Sequence, residues 1–99
     1  MKDSTITANL MTGHIGSEFA VLGDVSQATV LVLSSVVNHI KTEHNEAFSL
    51  FFHGPQAPFL PQGTRRLKHA SLGELEIFLV PVARDTDGFQ YEAVFNFLH

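Results

Sequence analysis

Several residue types are missing or scarce in this chain of 99 residues. Cysteine is absent, which excludes disulfides, thiolate nucleophiles and thiolate metal ligands. Tryptophan is absent too, whereas nine phenylalanines predict a core filled by phenylalanine. The chain has six basic and ten acidic residues, which gives a formal net charge of −4. This charge argues against nucleic-acid binding, because neutralisation of phosphates requires a surplus of cations.

Long apolar stretches are also missing. No run approaches the ~18–20 apolar residues of a membrane span, and the longest is interrupted by Ser34 and Ser35. Residues 1–5 lack the apolar segment of a signal peptide, so the expected location is cytoplasmic by default, with export by a dedicated system left open. The length predicts a single β-rich domain over residues 1–99, built around one core.

The clearest pattern covers residues 72–98, where two β-strands are predicted with a tight turn at residues 84–88. One parity of the second strand is apolar and should face a core: Phe89, Tyr91, Ala93, Phe95 and Phe97. In the first strand one face is apolar throughout: Leu75, Ile77 and Leu79. The other face begins with glutamates but ends in Phe78, Val80 and Val82. We therefore expect that end of the strand to be covered on both sides.

Other segments predict further short strands separated by turns, at residues 4–10, 17–22, 28–33, 47–52 and 64–69. Residues 24–27 predict a polar connection, and the polar residues 38–46 predict a loop. The predicted fold is all-β, either a small antiparallel β-barrel or a β-sandwich of about six or seven strands. One short helical segment near residues 34–46 is an open alternative within that fold.

The loop from Pro55 to Pro61 is the best candidate for contact with a partner. Its prolines recur at every third position, which favours an extended polyproline-like course that loses little entropy on binding. Pro58, Phe59 and Leu60 are the predicted contact residues. The alternative is that Phe59 and Leu60 fold back and cap one end of the barrel.

A short basic cluster follows this loop. Arg65 and Arg66 are predicted as additional partner-binding residues, because guanidinium groups bind anions well. The competing interpretation is structural. In an antiparallel hairpin Arg66 would face Glu76 and Lys68 would face Glu74. These cross-strand ion pairs would then neutralise the basic charges.

Two residues of the C-terminal strands have predicted structural roles. Pro81 interrupts a strong strand and cannot donate to a ladder, so we expect an edge or a bulge there. An edge at that point could also pair with another subunit. Tyr91, the one tyrosine, is expected to satisfy its hydroxyl at the edge of the core.

Catalytic and metal-binding patterns are weak. His39 and His44 lie near Glu43 and Glu46, but a spacing of five misses the i, i+4 register of helical metal ligands. No nucleophile elbow or phosphate-binding loop is present. No catalytic, cofactor-binding or metal-binding residue is assigned.

Five segments in series carry a family resemblance: FSLFF at 48–52, LPQGT at 60–64, HASLG at 69–73, FLVPV at 78–82 and YEAVFN at 91–96. Over roughly residues 19–96 the chain resembles a family of small, uncharacterised bacterial proteins, a domain of unknown function that ends in a YEAVFN-like strand. Residues 64–66 depart from the aromatic residue usual there. The resemblance implies an accessory or assembly role beside tail-collar, phage-tail-fibre-like proteins, and implies no catalytic residue.

Two functions remain open from the sequence. The first is a non-enzymatic β-domain that works by contact with a protein partner or by self-association, without nucleic acid and without a membrane span. The second is a barrel that binds a small ligand or a metal, or that acts as an enzyme, with His14, His53 and His69 lining its interior.

Overall fold

Six antiparallel strands close into a barrel in a computed structural model, which describes residues 6–23 and 28–98. The described elements are α1 (Ala8–Thr12), β1 (Glu18–Val21), β2 (Val30–Lys41), β3 (Asn45–Gly54), β4 (Gly63–His69), β5 (Gly73–Asp85) and β6 (Gly88–Leu98). Around the barrel the order is β1–β2–β3–β6–β5–β4, and β4 pairs back onto β1. The predicted all-β fold is confirmed, and of the two architectures left open by the sequence the structure has the barrel.

The period-two pattern of the strands explains the barrel interior. The apolar residues predicted to share a face in β5 and β6 turn inward, and Tyr91 is fully buried. In β3 the alternate residues Phe48 and Phe52 are fully buried as well. Phe19 of β1 joins them and meets Phe52 edge to face, with ring centroids 5.3 Å apart. Burial of each such side chain contributes about 1.5–3 kcal/mol, so this packed interior stabilises the barrel.

Strand β5 changes its pairing partner along its length. Residues up to Leu79 pair with β4, and residues from Val80 onward pair with β6. The register with β6 shifts between Pro81 and Ala83. A bulge tolerates a residue that has no N–H to donate, so the predicted irregularity at Pro81 is confirmed as a bulge. Its use as a pairing edge for another subunit stays a prediction.

The strand predicted at residues 4–10 is wrong where the structure describes it, because α1 begins at Ala8. Thr7 caps this helix: its side chain accepts the N–H of Leu10 at 3.0 Å. Ala8 and Met11, three residues apart, are both buried, which is a helical spacing. Residues 4 and 5, and the polar connection predicted at 24–27, lie outside the described residues.

The loop predicted at residues 38–46 is confined to residues 42–44, and the helical alternative at 34–46 is wrong. Strand β2 continues to Lys41, and β3 begins only four residues later. The β-branched residues of this segment pair along β3, as in Val36 opposite Leu50. The turn is closed by Thr42, whose hydroxyl accepts the N–H of Asn45 at 3.0 Å. Pairing of the strand thus overrides the polar composition at its end.

No helix within residues 6–23 and 28–98 has the length and apolar character needed to cross a membrane.

Candidate functional site

The β3–β4 loop places its two apolar residues in different environments. Leu60 is buried, with 3% of its surface exposed, and its N–H donates to the Tyr91 hydroxyl at 3.0 Å. Phe59 remains 47% exposed and packs against Phe89, with ring centroids 4.8 Å apart. Leu60 therefore caps the barrel, as the capping alternative expects, and its contact with a partner stays a prediction. The predicted role of the Tyr91 hydroxyl is confirmed.

The loop does not follow the predicted polyproline-like course. The chain bends at residues 56–58, and the Ala57–Pro58 peptide bond is cis. The side-chain amide of Gln56 donates to the carbonyl oxygen of Thr86 in the β5–β6 turn. The loop is thus tied to that turn, with Pro58 half-buried.

A cleft of about 480 Å³ lies between this loop and the β5–β6 turn, lined by Gln56, Arg84, Asp85, Thr86 and Phe89. The Asp85 carboxylate accepts the N–H groups of Asp87 and Gly88, at 2.8 and 2.9 Å. It also lies 3.5 Å from His53 Nε2. The pKa of the Asp85 carboxyl group is lowered, chiefly by the hydrogen bond from the Asp87 N–H. Burial raises this pKa, while His53 and the Gly88 N–H lower it further. This carboxylate is therefore engaged within the turn.

Arg65 contacts the chain itself. It lies opposite Ile77, which is an inward-facing position of β5, and its guanidinium group donates to the carbonyl oxygen of Pro61 at 2.6 Å. Within the part of the chain that the structure describes, its Nε is buried and has no hydrogen-bond partner. Partner binding by Arg65 stays a prediction, and its visible contact supports the β3–β4 loop.

Arg66 lies on the outer face of the β4–β5 hairpin. The structure confirms that it faces Glu76 and that Lys68 faces Glu74. The close ion pair is diagonal, with Arg66 3.3 Å from Glu74. Since both side chains are more than half exposed, this pair is worth less than ~1 kcal/mol. Partner binding by Arg66 likewise stays a prediction.

A surface that sequence patterns did not identify lies on the outside of β2, β3 and β6. Three large exposed apolar side chains define it, and we call them the apolar face: Val37, Ile40 and Val94. Val37 and Val94 are both register partners of Ser49, so these three side chains point to the same side of the sheet. Phe48 and Leu50, the neighbours of Ser49 in β3, point into the barrel.

The third member, Ile40, follows from the register of β2 with β3. It pairs with Ala47, which lies two residues from Ser49 and therefore faces outward. The apolar face thus lies on the outer side of three adjacent strands, β2, β3 and β6.

The prediction that the end of β5 is covered on both sides is wrong. Phe78 is 50% exposed and Val82 is 46% exposed. The barrel buries only the inward side of each strand, and none of the described elements packs over the outer side of β5. The apolar side chains on the outer side of β5 are therefore exposed to solvent.

A hydrogen-bonded chain of three polar side chains crosses the middle of the apolar face. The Ser49 hydroxyl donates to Glu92 Oε2 at 2.6 Å, and His39 Nε2 lies 2.8 Å from the same hydroxyl oxygen. A hydroxyl has one proton, so with that proton on the Glu92 bond, His39 donates to Ser49. In a catalytic triad the histidine instead takes the serine proton. This arrangement ties three strands together and does not activate Ser49, which is fully buried.

His14 and His69 meet near the start of β1, with ring centroids 4.8 Å apart. His69 is 5% exposed, and its Nδ1 accepts the N–H groups of Ser71 and Leu72 at 3.0 and 3.1 Å. The Ser17 hydroxyl donates to the His14 carbonyl oxygen, so His69 Nε2, 2.9 Å from that hydroxyl, is the donor there. Both ring nitrogens are therefore satisfied in the neutral imidazole.

Stability is expected to fall as the pH drops through the region below 6.5. Burial, and then the neighbouring His14, lower the pKa of His69 from its usual value of 6.5. The unfolded chain therefore binds this proton at a higher pH than the folded chain, so His69 stabilises the fold above 6.5 and loses that contribution as the pH falls toward the lowered pKa. Urea unfolding of the wild type on both sides of pH 6.5 measures the loss.

Two variants assign that loss to His69. His69→Gln should show a smaller change in stability across the same pH range, because the titrating ring is gone. His44→Gln removes an exposed histidine whose ring lies 3.7 Å from Glu43, and should keep the wild-type change. An equal pH dependence in His69→Gln and the wild type would contradict the assignment.

The three histidines of the ligand-binding alternative are not brought together. His53 lies at the loop end of β3, beside Asp85, whereas His69 ends β4 and contacts His14. His39 is bonded to Ser49, while His44 lies near Glu43. Within the described ranges, no three or more His, Asp or Glu side chains are grouped so as to hold a metal ion.

Comparison with known proteins gives one result. No curated protein and no solved structure matches the chain. Residues 6–95 match a family described as a domain of unknown function, DUF6916, and this range spans α1 and nearly the whole barrel. The match agrees with the expected membership of an uncharacterised family. The chain belongs to the family described as Domain of unknown function (DUF6916).

Proposed function

We propose that this protein is a non-enzymatic protein-contact domain that binds through its apolar face. The exposure of that surface carries the proposal, since Val94 is 56% exposed and Ile40 51% exposed on a barrel whose core is already filled. Contiguous apolar area on a folded domain, rimmed by polar residues, is typical of an interaction site. Water in contact with these side chains would be released when a partner covers them.

The distribution of charge supports this choice of surface. The outer side of the β4–β5 hairpin carries Arg66, Lys68, Glu74 and Glu76. The apolar face has one central carboxylate, Glu92, which is half-buried and accepts the Ser49 hydroxyl. Depletion of free charge is characteristic of the centre of a protein interface, because each unpaired charge would have to lose its water.

The size of the surface is also suitable. With strands ~4.8 Å apart and a rise of ~3.3 Å per residue, three strands of about nine residues span roughly 430 Å² before side-chain relief is added. Apolar patches of about 300–600 Å² on a monomer are often functional. A self-associating protein or an assembly accessory would use a surface on this scale. A tail-fibre-like protein in a bacterial assembly, which only the family resemblance suggests, is the partner we propose for the accessory role.

The test compares two added charges. Val94→Lys places an ammonium group in the middle of the apolar face, whereas Thr64→Lys places one on the polar outer side of β4. We expect the wild type and Thr64→Lys to show the same partners by chemical cross-linking, or the same concentration-dependent mass by light scattering, and Val94→Lys to lose them. A wild type that stays monomeric, with a cross-linking pattern unchanged in Val94→Lys, would show that the proposal is wrong.

A further inference from the structure

The cleft beside the β5–β6 turn has a composition that points to a ligand of its own. Arg84 and Phe89 are register partners, so their side chains lie on the same side of the hairpin. Phe59 packs against Phe89 from the β3–β4 loop. A guanidinium group therefore stands beside a pair of aromatic rings.

The two charges of the cleft differ in availability. The Asp85 carboxylate keeps its negative charge, but its Oδ1 accepts two backbone N–H groups and lies 3.5 Å from His53 Nε2. Across the described ranges, Arg84 takes part in no ion pair, and its side chain is exposed. Among the charged side chains that line the cleft, Arg84 is therefore the one without a partner in the described ranges.

The walls of the cleft are held in place before any ligand arrives. The Gln56 amide bridges the loop to Thr86, and Leu60 anchors the other end of the loop through the Tyr91 hydroxyl. A site whose walls are fixed loses less conformational entropy on binding than one that must order itself. At about 480 Å³ the cleft lies within the range of ligand sites, ~300–1,000 Å³.

We propose that this cleft binds an acidic peptide segment of a partner protein, with a carboxylate on Arg84 and a neighbouring apolar side chain against Phe89 and Phe59. Arginine binds carboxylates through two parallel hydrogen bonds, which gives both strength and direction. Phe59 is half exposed and lies outside the lining of the cleft. A peptide is long enough to contact Phe59 as well as the cleft, whereas a small free acid that fills the cleft does not reach Phe59. The site shares no residue with the apolar face, so it is independent of the proposed function.

The experiment is an NMR titration of the ¹⁵N-labelled protein with three probes. They are the blocked dipeptide acetyl-Asp-Phe-amide, its neutral analogue acetyl-Asn-Phe-amide, and phenylacetate as a small free acid. We expect saturable shifts at the amides of Gln56, Phe59 and residues 84–89 with the aspartyl peptide. The asparaginyl peptide should bind about tenfold more weakly or worse, because a charge-assisted hydrogen bond is lost.

Two arginine variants locate the charge. Arg84→Gln should weaken binding of the aspartyl peptide by about tenfold or more, while Arg66→Gln, which removes an arginine already paired with Glu74, should leave it unchanged. Retained dispersion of the amide spectrum shows that both variants fold. Absence of saturable shifts, equal binding in the two variants, or tighter binding of phenylacetate than of the peptide would each overturn the proposal.

Discussion

Replacing Gly88 with alanine is expected to lower the free energy of unfolding by about 3–5 kcal/mol. The cost of a strained backbone conformation and the cost of an overpacked contact both contribute. Gly88 has φ of +152°, a conformation that residues with a side chain rarely adopt. A Cβ at this position would also overlap the carbonyl oxygen of Gly54, at the end of β3. That oxygen belongs to the backbone of a paired strand, so it cannot move without disturbing the barrel. Urea unfolding followed by circular dichroism measures the effect.

Gly73 provides the matched control, since it also lies in a hairpin turn at positive φ. Its φ is +76°, and a Cβ there would meet nothing within 4 Å. Gly73→Ala should therefore cost only the left-handed backbone conformation, about 1–2 kcal/mol. The difference between the two variants isolates the contact with Gly54. If both lose the same stability, the clash at Gly88 does not govern this turn.

These two glycines show what a sequence can and cannot predict. The turn at residues 84–88 was predicted from its Asp and Gly residues, which is local chemistry. The closeness of Gly88 to Gly54 depends on how β3 and β6 pair, with Gly54 opposite Phe89. That contact joins residues 34 positions apart, so no local pattern contains it. Alternation within one strand is visible in a sequence, whereas the neighbour of that strand is not.

The same limit explains the errors in β2 and β5. Polar residues at the end of β2 predicted a loop, but pairing with β3 holds Asn38 and Lys41 in the strand. In β5, apolar side chains on both sides predicted a second covering layer, although Phe78 is half exposed. A sequence pattern reports that a side chain is apolar. It does not report whether another element, or a partner, covers it.

The candidate sites divide in a similar way. The loop at residues 55–61 was recognised from its prolines, yet nothing local distinguishes Phe59, which stays exposed, from its neighbour Leu60, which is buried. The apolar face was missed because Val37 and Val94 lie in different strands and meet only through their shared partner Ser49. Tertiary contacts determine both the burial of Leu60 and the position of Val37 beside Val94.

Phe52→Ala is expected to lower the free energy of unfolding by about 3–5 kcal/mol, the usual cost of removing a buried aromatic ring. Phe52 is fully buried and meets Phe19 edge to face, and its register partner Tyr91 is buried beside it. Removal of the ring leaves a cavity between β1, β3 and β6 that the closed sheet cannot collapse around. Urea unfolding with the Tyr91 fluorescence as reporter gives the change.

Phe59→Ala is the contrasting variant, with the same atoms removed from a loop residue. Phe59 is 47% exposed and keeps one ring contact, with Phe89, so its loss should cost no more than about 1.5 kcal/mol. Losses of similar size in the two variants would mean that Phe59 is a structural residue of the barrel end. A small loss means that most of the Phe59 ring does not serve folding, which leaves its exposed part free to contact the peptide ligand proposed for the neighbouring cleft.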